Sequence, residues 1–105
     1  MTTTGRPEYD PSKREIIVRF TGETGLNYTY AKDRRQGLNA KTIALVDALD
    51  QLPSVSCART VRQAFTETPS INLIVLLNVQ DRLPDDVYDQ VMAIVQRELP
   101  EIILT

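Results

Sequence analysis

The chain reads as an α+β domain, an antiparallel sheet with two helices on one of its faces. Three observations predict this. Apolar and polar residues alternate with a period of two around Ile16–Phe20, Val55–Phe65 and Ile71–Val79, as strands require. After Asn39 and again after Pro84, apolar residues recur three and four positions apart, as on the buried side of a helix. The two kinds of segment are interleaved along the chain and separated by proline, glycine and short polar connectors.

The residues before the first strand, Met1 to Ser12, are rich in threonine and contain two prolines, so positions 1–12 are expected to form a flexible arm ahead of a single domain spanning 13–105. The first strand runs from Arg14 to Thr21, with Ile16, Val18 and Phe20 on one face and Ile17 and Arg19 on the other. Gly22 and Gly25 then turn the chain. The limb Leu26–Ala31 alternates and is expected to fold back as a hairpin. Asn39 is placed as an N-cap for a helix whose stripe is Ile43, Leu45, Val46, Leu49 and Leu52, stopped by Pro53.

From Val55 to Phe65 the sequence alternates and predicts a long strand, with Val55, Cys57, Val61 and Phe65 inward and Ser56, Ala58, Thr60, Arg62 and Ala64 outward. The connector Glu67-Thr68-Pro69-Ser70 makes it an antiparallel neighbour of the next strand. That strand, Ile71–Val79, has uniformly apolar odd positions and half-aliphatic even positions, the pattern of a central strand. Pro84, Asp85 and Asp86 suit the first turn of a second helix, because proline fits there and carboxylates complement the helix dipole. Val87, Val91, Ile94 and Val95 form its stripe. Pro100 ends it, and Glu101–Leu104 closes the sheet.

Strand, helix, strand, strand, helix, strand is the split βαβ order of ferredoxin-like folds, and that βαββαβ sandwich is the fold this sequence predicts. A mixed sheet with the Tyr28 limb as a full strand is the second architecture compatible with the pattern.

Composition narrows the chemistry. There are 12 basic and 14 acidic side chains, a net charge of −2, 42% hydrophobic residues and no histidine. The commonest general base near neutral pH and the commonest transition-metal ligand are therefore missing. One cysteine, Cys57, cannot form an intramolecular disulfide or a thiolate pair, and its place on the inward side predicts an inert core thiol. The opening residues hold no apolar signal segment, and with the lone cysteine this predicts a cytoplasmic protein. No apolar run approaches the length of a membrane span. Asp81, Asp85, Asp86 and Asp89 are dense enough to raise a divalent cation, but helix spacing turns Asp86 away and helix initiation explains them; no metal or cofactor is predicted. No nucleotide-binding or nucleophile motif is present, so an enzyme, which would have to rely on Arg19, Tyr28, Tyr30 or carboxylates, is the less favoured class.

Two binding readings remain. With the helices over Val18, Val61 and Val75, the opposite sheet face would display Ile17, Arg19, Ala58, Thr60, Arg62, Ile74 and Leu76. Aliphatics ringed by arginines resemble the core and rim of an interface. This predicts a non-catalytic interaction or regulatory module that associates through the open face, as a homodimer or with a larger protein, unless the N-terminal arm or the Tyr28 limb folds across it. The alternative is a small nucleic-acid binding protein in which Tyr28 and Tyr30 stack on bases while Lys32, Arg34 and Arg35 contact phosphates.

Overall fold

The computed structural model describes residues 3–28, 37–63, 70–78 and 85–105. Five strands and two helices follow in the order β1 (Thr4–Asp10), β2 (Glu15–Thr21), α1 (Ala40–Asp50), β3 (Val55–Gln63), β4 (Ser70–Leu77), α2 (Asp85–Glu98) and β5 (Ile103–Leu104). They make a small α+β domain with one mixed sheet ordered β3-β4-β2-β1-β5. Every strand pairing is antiparallel except β1 with β5. The exact ferredoxin-like order is not reproduced, because β1 lies between β2 and β5.

β1 is the main departure from the expectation of a flexible arm over 1–12. Its core-facing positions are Gly5, Pro7 and Tyr9, opposite Phe20, Val18 and Ile16. Only Tyr9 offers a side chain that packs on the core, so hydrophobic periodicity is nearly absent. The strand is ordered by its ladder to β2 and by a tight turn. In that turn Asp10 Oδ1 accepts from the Ser12 N–H at 3.0 Å and the Ser12 hydroxyl at 2.6 Å, and Arg14 takes a positive φ of 53°. Pro7 is tolerated because β5 pairs only with Thr4 and Gly5, leaving the outer side of β1 an edge beyond them.

Gly5 is required by packing. A Cβ there would stand 3.0 Å from Leu104 Cδ2 and 3.1 Å from Phe20 Cε1, so the Phe20 ring fills the space a side chain would take.

Both helices pack on the face carrying Ile16, Val18, Phe20, Leu73, Val75 and Leu77. From α1 come Thr42, Leu45, Val46 and Leu49, and from α2 come Val87, Val91 and Val95. Asn39 is the N-cap, its Oδ1 accepting from the Thr42 N–H at 2.9 Å and the Thr42 hydroxyl at 2.7 Å. Asp85 and Asp86 stand in the first turn of α2, as the dipole favours; Pro84 lies outside the described residues. The closing strand is shorter than expected, because Ile102 turns into the core and only Ile103 and Leu104 reach β1. Leu26 to Tyr28 form no strand, and the remainder of the predicted hairpin limb lies outside the described residues.

β3 holds the second departure. Val55 pairs with Leu77 but Cys57 pairs with Leu76, so Ser56 is the extra residue of a β-bulge. One extra residue exchanges the two faces of everything after it. Ala58 and Thr60 turn toward the helices, opposite Val75 and Leu73, while Cys57, Arg59 and Val61 turn outward. On the core side the bulge is held by Asp50 Oδ1, which accepts from the Ala58 N–H at 2.9 Å.

Candidate interaction surface

The face away from the helices is built from four strands in register. One row across it reads Cys57, Leu76, Glu15, Asp10; the next reads Arg59, Ile74, Ile17, Glu8; the third reads Val61, Asn72, Arg19, Arg6. Each row follows from cross-strand pairing, since directly opposed residues share a face. At the middle lie Ile17, Ile74 and Leu76, joined by Cys57 and Val61, and all five remain partly accessible to solvent. Ile103, 54% exposed, sits beside Thr4 at the β5 end of the same face.

Charges of both signs surround this aliphatic centre. Asp10 and Glu8 face Arg6, Arg19 and Arg59 across the three rows, while Glu15, between Leu76 and Asp10, is buried. Arg19 forms a hydrogen-bonded ion pair with Glu8, and Arg6 Nε stands 3.7 Å from the other oxygen of Glu8. Among the described residues Arg59, at the opposite end of the Glu8 row, makes no ion pair. The Asp10 carboxyl is held below its ordinary pKa, first by the Ser12 hydroxyl hydrogen bond.

Four of the seven residues predicted for this surface are on it: Ile17, Arg19, Ile74 and Leu76. Ala58 and Thr60 are not. They are 2% and 9% exposed and belong to the core side because of the bulge, and the Thr60 hydroxyl donates to the Asn27 carbonyl at 2.7 Å. Arg62 also leaves the surface. It donates to the Tyr28 hydroxyl at 3.0 Å and its guanidinium lies 5.9 Å from the Tyr28 ring centroid, at the helix-side margin of β3. Their places are taken by Cys57, Arg59 and Val61. Cys57 is accordingly a partly accessible thiol on the outer face rather than the core residue expected. Glu8 and Arg6 complete the far side, on a strand whose sequence carries almost no hydrophobic alternation.

The described part of the arm does not fold across the face, since Thr4–Asp10 extend the sheet edgewise as β1. Of the basic-aromatic group, Tyr28 is engaged by Arg62, while Tyr30, Lys32, Arg34 and Arg35 lie outside the described residues. The base of that segment is closed by two asparagines. Asn27 Oδ1 accepts from the Asn39 N–H at 2.8 Å, Asn27 Nδ2 donates to the Gly37 carbonyl at 2.6 Å, and Asn39 Nδ2 donates to the Gly25 carbonyl at 2.8 Å.

Among the described residues no three His, Cys, Asp or Glu side chains converge as metal ligands, and no helix is long and apolar enough to cross a membrane. What the surface offers is partly exposed aliphatic area within a ring of charge of both signs. In comparison with known proteins, the chain matches no family model, no curated protein and no solved structure.

Proposed function

We propose that this chain is a protein-interaction module that works through its open sheet face, built on a ferredoxin-like core widened by β1. The observation that carries the reading is the aliphatic centre of Ile17, Ile74 and Leu76, on a face the helices leave uncovered. A one-sided sheet ordinarily turns polar residues to water, and a partly exposed aliphatic cluster with a charged rim has the anatomy of a contact surface. Each of the three is already half-buried within its own chain, so completing its burial contributes only part of the about 1.5–3 kcal/mol of a full transfer from water, and the cluster acts together rather than through any one side chain.

A photo-crosslinking residue tests this directly when placed in the full chain in cells, at position 59 on the open face and, as a control, at Gln90 on the solvent side of α2. The reading predicts protein adducts from position 59 and none from position 90. No adduct from position 59 contradicts it.

A further inference from the structure

We infer that the occupant of the open face is a second copy of this chain, set face to face about a two-fold axis that runs along the strands between β2 and β4. The inference rests on the interaction reading above and adds the partner and its orientation.

The row Arg59–Ile74–Ile17–Glu8 carries the argument. It has a cation at one end, a carboxylate at the other and two isoleucines between. A two-fold axis parallel to the strands maps β3 onto β1 and β4 onto β2. It therefore lays Arg59 of each chain over Glu8 of the other and Ile17 of each over Ile74 of the other. The row is complementary to its own reversal. An axis running across the strands instead lays Arg59 on Arg59 and Glu8 on Glu8, which like-charge repulsion disfavours.

The dimensions allow the first arrangement. Strands lie about 4.8 Å apart, which puts Arg59 and Glu8 each about 7 Å from the axis, and stacked sheets sit about 10 Å apart. Aligned sheets cross at about 30°, which displaces the pair along the strands by about 4 Å, within the reach of an arginine side chain. Arg59 makes no ion pair among the described residues, whereas Glu8 already holds Arg19 on one carboxylate oxygen and Arg6 near the other, so Arg59 of the second chain joins that cluster and shares the carboxylate with them. The face carries both signs, Glu8 and Asp10 against Arg6, Arg19 and Arg59, so stacking it on itself does not oppose two surfaces of a single sign.

Charge exchange tests the orientation. Glu8→Lys and Arg59→Glu, made separately, each place like charges across the axis twice, and each should weaken self-association tenfold or more in sedimentation velocity at low salt. Mixed in equal amounts, the two variants restore both contacts across the axis. Arg59 of the first meets the native Glu8 of the second, and the glutamate introduced at position 59 meets the lysine introduced at position 8. Association should return as a heterodimer. Circular dichroism verifies that each variant is folded. Should Glu8→Lys unfold through crowding with Arg6 and Arg19, Arg59→Glu is tested alone and then with Glu8→Gln, which removes the repulsion and should restore part of the association.

The inference is overturned if the wild-type chain stays monomeric at millimolar concentration, or if it dimerises with an affinity that neither charge variant changes. The interaction reading fails separately, by the absence of any adduct at position 59. An adduct to a different protein overturns the second copy and leaves that reading standing.

Discussion

Cys57 stands directly opposite Leu76 on the open face, although Val55, two residues earlier, stands opposite Leu77 over the core. The single residue gained at Ser56 decides which half of β3 belongs to the interior. It also moves the thiol from a core position to the open face. Alkylation of the native protein should therefore proceed without global unfolding, and in the self-associating account its rate should fall as protein concentration rises. Modification only at the rate of global opening, read from the slowest-exchanging amides, would return Cys57 to the core and remove the bulge.

The same bulge predicts opposite outcomes at adjacent residues. Ala58→Lys forces a charge into the space between β3 and α1 and should destabilise by about 3 kcal/mol or more. Arg59→Ala, one position on, should change the stability of the dilute monomer by less than about 0.5 kcal/mol. Urea denaturation of the two variants checks the pair. Equal costs would mean that β3 continues without the bulge.

Gly5→Ala tests whether β1 is part of the folded domain. The added methyl meets Leu104 and Phe20 at 3.0–3.2 Å, and both of those side chains are already packed. The cost should be about 1–3 kcal/mol. A loose arm would accept alanine at no cost, so an unchanged melting temperature would detach β1 from the sheet.

Acid should weaken a contact that ties the C-terminal segment to α1. Glu101 lies below its ordinary value of 4.5, first because of its hydrogen bond from Lys41. A carboxylate depressed in the folded state contributes stability that is full above its unfolded value and is lost as pH falls through its folded value. Melting temperature should therefore decline below about pH 4.5, and Glu101→Gln should make that decline shallower. The contact is exposed, so the effect is small and fades with salt. A decline equally steep in the variant would assign it to other carboxylates.

How much of this could be read from the sequence depended on whether burial or geometry ordered each element. β2, β4 and the two helices are ordered by burial, so Ile16, Val18 and Phe20, Leu73, Val75 and Leu77, and Val87, Val91 and Val95 all signal themselves by spacing. Asn39 did so through its capping chemistry. β1 is ordered by pairing and by the Asp10 turn, while its inward positions are occupied by a glycine, a proline and a tyrosine, which leave no periodic trace. The bulge at Ser56 is silent for a different reason. Val55, Cys57 and Val61 look like one apolar face, and Ala58 and Thr60 are small enough to read as either side. The candidate surface inherited both gaps. Its β2 and β4 residues were visible, whereas Arg59, Cys57, Val61, Glu8 and Arg6 required the register.

The central claim is that the open face, and not the core, holds two molecules together through Ile17 and Ile74. Sedimentation velocity of the wild-type chain beside the double variant Ile17→Lys, Ile74→Lys, with circular dichroism on the same samples, tests it most directly. The account predicts a concentration-dependent dimer for the wild type and a folded monomer for the variant, since neither side chain contributes to the helix-backed core. A variant that associates as the wild type does, or a wild type that remains monomeric throughout, would contradict it.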